Sequence, residues 1–199
     1  MPNWVRNEMS IPVLSSEESD RIAESLRGLE EESAPLSFER VIPRPAEEED
    51  WYHWQIANWG TKWNACEPEV ATELDSLVYS FNTAWSPPLP VLAAISDRFP
   101  DRTIRFVYEE EQGWGGIIEA TGGVLVNVKD WDIPSTHAEL IERKQECYCS
   151  DGDAFFADCY YERAKAAGVT DPRTLEAIKT LGTDWADTFE RLIEVAPSL

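Results

Sequence analysis

Lys62 and Asn64 lie inside Trp51-Tyr-His-Trp-Gln-Ile-Ala-Asn-Trp-Gly-Thr-Lys-Trp-Asn64, a stretch that holds four of the nine tryptophans. An ammonium and an amide beside indole rings are the groups that hold a polar ligand against an aromatic wall. Asn7, Asn58 and Glu110 fall inside other apolar patterns and would complete such a pocket with Lys62 and Asn64. A structural reading of the same residues competes with it. In that reading the asparagines bridge backbone groups, and Lys62 pairs with an acid such as Glu110. Nucleophilic catalysis has less to stand on. His53 and His137 are the only histidines, and no residue at a suitable spacing would orient either one.

Cys66, Cys147, Cys149 and Cys159 form no CxxC pair. Cys147 and Cys149, two apart on a helix, would diverge, so with Cys159 and His137 they do not make a recognised zinc spacing. The thiols are expected to be unbridged and free of metal. Gly113-Trp-Gly-Gly116 follows three glutamates and is followed by neither lysine nor helix, which excludes a phosphate cradle. No catalytic residue, metal or cofactor is expected.

Seventeen basic residues against thirty-eight acidic ones give a net charge of −21. Such a field repels nucleic acid and anionic membrane and attracts basic partners. Residues 15–50 carry twelve acids and four bases, residues 51–129 ten and five, and residues 130–199 fifteen and seven. The charge is therefore concentrated in the flanks. The candidate partner-binding clusters in these flanks are Glu30, Glu31 and Glu32, then Glu47, Glu48, Glu49 and Asp50, then Asp184, Asp187 and Glu190. Carboxylates on rigid helices can present an array resembling a phosphate backbone. The run at 47–50 also suits the N-terminus of the helix that follows it. With no long apolar run and no basic leader, a soluble cytoplasmic protein is expected.

These groups must be positioned by the surrounding elements. Alternation predicts strands at 4–13, 61–65, 77–85, with Trp85 on its apolar face, and 103–109. The capping box Ser15-x-x-Glu18 opens a helix over 16–31 with Ile22, Leu26 and Leu29 as its stripe. Ser86-Pro-Pro-Leu-Pro90 opens another over 89–98. A buried aromatic helix fills 50–59 and stops at Gly60. Leu36 and Phe38 suggest a short strand, and 66–75 a polar connection. Residues 117–120 and 124–131 form a hairpin across Thr121-Gly-Gly123. Helices are expected near 135–147, 153–167, 171–181 and 183–194, the third with Asp171 as cap and Pro172 in its first turn. The order is that of an α+β, ferredoxin-like split βαβ sheet. It carries an inserted aromatic helix, an extra β-hairpin and a C-terminal helical extension. The expected domains are 1–133 and, packed on it, 134–199.

Pro2-Asn-Trp4 with Asn7, Asn58-Trp-Gly-Thr-Lys-Trp-Asn64, Thr83-Ala-Trp-Ser-Pro-Pro88 and Tyr108-x-Glu110 before Gly113 to Gly116 occur in this order. The set resembles the YubB ferredoxin-like domain family of plasmid and phage proteins, over about residues 1–131. That family often has Cys after Pro-Asn-Trp, where this chain has Val5. The resemblance implies a ferredoxin-like fold and residence on a mobile genetic element, and brings no reaction or cofactor. Together with the charge, it leads to an expected function: a non-enzymatic accessory protein that binds a basic host protein. In its sharpest form this is a DNA-mimicking inhibitor of a host defence system, a CRISPR effector or restriction enzyme. The protein would bind neither nucleic acid nor membrane itself. The alternative is a small enzyme or ligand-binding domain using the pocket around Lys62 and Asn64.

Overall fold

The computed structural model describes residues 2–29, 34–134, 139, 161, 164, 165 and 168–181. The chain divides into two compact units, Met1–Asp132 and Ile133–Leu199. In the first, β1 (Trp4–Pro12), β2 (Cys66–Thr72), β3 (Ser76–Ala84), β4 (Ile104–Glu110), β5 (Gly115–Thr121) and β6 (Val124–Trp131) form one antiparallel sheet in the order β2-β3-β1-β4-β5-β6. The helices are α1 (Ser16–Leu26), α2 (Phe38–Val41), α3 (Trp51–Trp59) and α4 (Leu89–Arg98). With α1 between β1 and β2 and α4 between β3 and β4, the first four strands make the ferredoxin-like βαββαβ unit. The β5–β6 hairpin extends it beyond β4. In the second unit α5 (Pro172–Leu181) is capped by Asp171, whose Oδ2 accepts from Thr174 N at 2.9 Å.

Alternation along β1, β3 and β4 places Met9, Ile11, Leu77, Tyr79, Phe81, Ile104 and Phe106 on one face. There they pack with Ile22 and Leu26 of α1 and Val91, Leu92 and Ile95 of α4. The other face carries Arg6, Glu8, Ser80, Arg105 and Glu119, all exposed. The two sheet edges differ. Edge strand β2 contains Pro68, a register break between Cys66 and Glu69, and exposed Glu67 and Glu69. Edge strand β6 instead exposes Val124, Val126 and Val128 by 64%, 55% and 53%.

Several expectations are corrected. Residues 61–65 are not the second strand, which begins at Cys66. Thr61 and Asn64 spend their side chains on backbone groups, and this replaces a ladder with a turn. Most of the expected polar connection at 66–75 is β2 itself, Cys66–Thr72. Leu29 is 81% exposed, because α1 ends at Leu26 and Arg27 is extended. Leu36 and Phe38 belong to no strand; Phe38 opens the short α2, and both are buried. Trp85 leaves the apolar face of β3, which ends at Ala84. The aromatic helix α3 is mostly at the surface: Trp59 is buried, Trp54 is half-buried, and Trp51 and Ile56 are exposed. The helices expected near 135–147, 153–167 and 183–194 lie largely or wholly outside the described residues.

Trp59 joins this insertion to the core. Its Nε1 donates to Ile42 O at 2.9 Å, and its ring meets Phe38 and Trp54 edge-on at 5.9 and 5.8 Å. Trp59→Ala is expected to cost about 3–5 kcal/mol, measured by urea denaturation. Tyr79, fully buried in β3, has a hydroxyl with no hydrogen-bond partner among the described residues. Burial pushes this phenol up to about 12, opposed by the Arg27 charge. The fold favours the neutral phenol. Stability is therefore complete below the ordinary value near 10.0 and declines as pH rises from there toward the folded value of about 12. Tyr79→Phe is expected to lessen that decline, leaving the share of Tyr108 and Cys66, which burial also pushes up, and to be neutral or up to about 1 kcal/mol stabilising at neutral pH. Urea midpoints for both proteins between about pH 8 and pH 11 check this.

Candidate functional site

The site is assembled where the α3 insertion meets the end of β3. Asp50 caps α3: Oδ1 accepts from His53 N at 3.3 Å, and Oδ2 pairs with His53 Nδ1 at 2.7 Å. The hydrogen bonds from His53 hold the Asp50 carboxyl below the usual carboxylate range. Gly60 ends the helix at φ +79°, where a Cβ would lie 2.7 Å from Pro90 Cδ. The next residue, Thr61, is buried and exchanges two hydrogen bonds with Ala84. Its Oγ1 donates to Ala84 O at 2.9 Å and accepts from Ala84 N at 3.1 Å. Ser86 Oγ donates to Gly60 O at 2.6 Å. The turn is thereby fixed to the end of β3, with Lys62 and Trp63 beside Trp85.

Lys62 Nζ stands 4.7 Å from the ring centroid of Trp63, 4.9 Å from that of Trp85 and 5.8 Å from that of Tyr52. All three separations are within cation–π range. Trp63 in turn meets Trp4 at 5.9 Å. Trp85 has φ +70° and is 43% exposed. A bulky residue in that left-handed region costs roughly 1–2 kcal/mol. The conformation is held by Trp85 N donating to Asn3 O at 2.9 Å and by Thr83 Oγ1 donating to Ser86 O at 2.8 Å.

The expected pocket does not form around Lys62. Asn7 is fully buried in β1 and donates to Val5 O, Phe81 O and Thr83 Oγ1. Asn58 donates to Trp54 O within α3. Asn64 Oδ1 accepts from Phe38 N at 2.7 Å and Ala65 N at 2.9 Å, and its Nδ2 donates to Ser37 Oγ. The amide nitrogens of all three donate to backbone or hydroxyl groups, as in the structural reading, while the buried Asn7 Oδ1 meets no partner among the described residues. Glu110 does not pair with Lys62. It is 4% exposed, opposite Val5, and its Oε2 accepts from Gln112 N at 2.7 Å. Rings, not a carboxylate, surround the ammonium.

Of the acidic clusters, Glu47 and Glu49 are exposed, Glu48 accepts from Asp50 N, and Asp50 is the cap of α3. Glu30, Glu31, Glu32, Asp184, Asp187 and Glu190 lie outside the described residues, as do His137, Cys147, Cys149 and Cys159. Other carboxylates were missed in the sequence. Glu67, Glu69, Glu73 and Asp75 are exposed along β2 and its turn to β3. Glu8 on β1 faces the same side as Glu69, both being in register with Ser80. The alternation Glu67-x-Glu69 before Val70 was the available signal. A cavity of about 520 Å³ opens nearby, lined by Trp4, Arg6, Cys66, Asn82 and Glu109 among others. Burial pushes the Cys66 thiol up, with Glu67 adding to it, so the thiol is protonated and weakly nucleophilic at neutral pH.

Residues 58–150 match the sequence profile of the ferredoxin-like domain in Api92-like protein. No curated protein matches the chain. A crystal structure of a protein Api92 from Yersinia pseudotuberculosis is similar at 16% identity and a TM-score of 0.41, over 50% of this chain. The chain spans 40% of the length of that structure. Among the described residues no helix is long and apolar enough to cross a membrane.

Asn64→Ala strips partners from the Phe38 and Ala65 amides and is expected to cost about 1–3 kcal/mol. Lys62→Ala should cost less than about 1 kcal/mol in the same urea titration. A silent Asn64→Ala would return Asn64 to the list of ligand-binding candidates.

Proposed function

We propose that this protein is a non-enzymatic, acidic accessory protein of a mobile genetic element that binds a basic host protein. In its specific form it is a DNA-mimicking inhibitor of a host defence system, such as a CRISPR effector or a restriction enzyme. The observation that carries the reading is the exposed acidic edge formed by Glu67, Glu69, Glu73 and Asp75, with Glu8 beside it on the open sheet face. Glu67 sits in the bulge of β2 and Glu69 in the strand beyond it, so both carboxylates project from one hydrogen-bonded edge. Crowding them costs folding free energy by mutual repulsion, and a basic partner relieves that cost on binding. Support for the mobile-element origin is the motif resemblance to plasmid and phage proteins. The amide nitrogens of Asn7, Asn58 and Asn64, all spent on backbone or hydroxyl groups, weigh against the alternative of an enzyme or ligand pocket built from them.

The reading is tested by reversing charge by position. Glu67→Lys, Glu69→Lys and Glu73→Lys together are expected to weaken binding of a basic DNA-binding partner by at least about tenfold at low salt. Glu47→Lys with Glu49→Lys forms a second test cluster. The fold should persist by circular dichroism, since exposed charges add little stability. Affinity should fall steeply with salt, and duplex DNA should compete for the partner. If both clusters can be reversed without loss of binding, or DNA and this protein bind the partner together, the reading fails.

A further inference from the structure

The three rings around Lys62 form a cage for a cation, and the cation in it belongs to the chain itself. Among the described residues Lys62 makes no hydrogen bond and no ion pair, in a chain with thirty-eight carboxylates. Other cations here tie elements together. Arg98 donates to Arg40 O and Val41 O, and Arg102 donates to Pro12 O and Glu18. Lys62 does nothing comparable: its contacts are with ring faces. One of these rings, Trp85, is kept at φ +70°, a conformation glycine would adopt freely, and is 43% exposed. Strain at a surface aromatic residue is a mark of a site whose geometry serves something other than the core. Both Trp85 and the partly exposed Lys62 can be reached from solvent.

We propose that Tyr52, Trp63 and Trp85 accept a guanidinium group from a basic protein, and that Lys62 occupies the cage in cis until this group displaces it. Ring faces attract cations and select a planar, weakly hydrated guanidinium over a compact, strongly hydrated ammonium. The charge around the cage favours the same class of ligand. Tyr52 follows directly on Glu47-Glu-Glu-Asp50, and exposed Glu67 lies five residues beyond Lys62. An arriving anion would gain from Lys62 alone and be opposed by the field of the chain. A displaced Lys62 has a flexible stem and regains full hydration. The source of the guanidinium, an arginine of a basic partner, rests on the functional reading above; the cage itself does not.

The test uses the full chain and follows intrinsic fluorescence and the indole N–H resonances of Trp63 and Trp85. The probes are L-arginine amide, hexa-arginine, hexa-lysine and inorganic phosphate. L-arginine amide and hexa-arginine are expected to move both resonances, and hexa-arginine to bind more tightly than hexa-lysine. Lys62→Ala removes the internal competitor and should tighten hexa-arginine binding roughly three- to tenfold. Trp85→Gly suits the local backbone, should keep the circular dichroism of the parent, and should weaken binding about tenfold or more. Unchanged or weaker binding by Lys62→Ala, unchanged binding by Trp85→Gly, or equal affinity for hexa-lysine overturns the proposal. So does a phosphate response that Lys62→Ala abolishes, which would make the site an anion receptor. The triple reversal of Glu67, Glu69 and Glu73 should weaken hexa-arginine binding and leave the response to L-arginine amide within about twofold. Failure of the acidic surface and failure of the cage are thus read in different arms.

Discussion

One threonine determines where everything in the inserted segment lies. The connection from α1 to β2 spans about forty residues, far more than a ferredoxin-like unit needs, and a connection of that length has many ways to fold back. Thr61 removes that freedom. Its hydroxyl both donates to and accepts from the backbone of Ala84, so a side chain takes the place a neighbouring strand would have filled at the end of β3. The contact is buried, and losing it would leave a donor and an acceptor unpaired out of reach of water. Gly60 supplies the reversal immediately before it, and Ser86 binds the Gly60 carbonyl from the other side. Trp59 on one side and Lys62 on the other then have fixed addresses. The anchoring tryptophan and the aromatic surface are thus consequences of the same pin.

The sheet separates two tasks between its faces. The inner face is conventional: branched and aromatic residues packed under two helices. Asn7, buried there beside Thr83 and Glu110, is kept by its Nδ2, whose two hydrogens are shared among Val5 O, Phe81 O and Thr83 Oγ1. The outer face and the β2 edge carry charge that the inner packing must stabilise against repulsion. Ion pairing gives little help. Among the described residues the close cation–carboxylate pairs are Arg27 with Glu24, Arg102 with Glu18, and His53 with Asp50, and none lies on β2. The burial of Trp59, Phe38 and their neighbours therefore does more than close the core. It sustains a β2 edge whose carboxylates have no close cation among the described residues, beside an outer face where Arg6 and Arg105 offset part of the charge.

The sequence disclosed those elements whose residues alternate against a single core. β1, β3, β4 and the β5–β6 hairpin repeat with period two, α1 opens on a capping box, and α4 follows a proline-rich turn; together they were enough for the ferredoxin-like order. β2 was not legible, because an edge strand bearing Glu67, Pro68 and Glu69 looks like a loop. Residues 61–65 imitated a strand by alternating, yet Thr61 and Asn64 hydrogen-bond through side chains, which periodicity does not detect. Trp85 completed the apolar alternation of β3 on paper and left it in space because its amide pairs with Asn3. At the site, the importance of the tryptophan motif around Lys62 was readable, and its contents were not. Whether a lysine finds Glu110 or three rings depends on where an insertion docks, and no local spacing encodes that.

The unlike edges of the sheet have a further consequence, for how copies of the domain can associate. Hydrogen-bonded growth of a sheet needs a receptive strand at both ends. β6 offers one along Val124 to Asn127, before its own break in register at Val128, whereas β2 is closed by Pro68, by a break in register and by carboxylates that repel their own kind. A pair of domains meeting through β6 would leave only β2 edges facing outward. Such an assembly terminates at two and cannot propagate as a fibre. The residues that make β2 acidic thereby also act as a polymerisation stop, at the one boundary of the sheet where growth would otherwise continue.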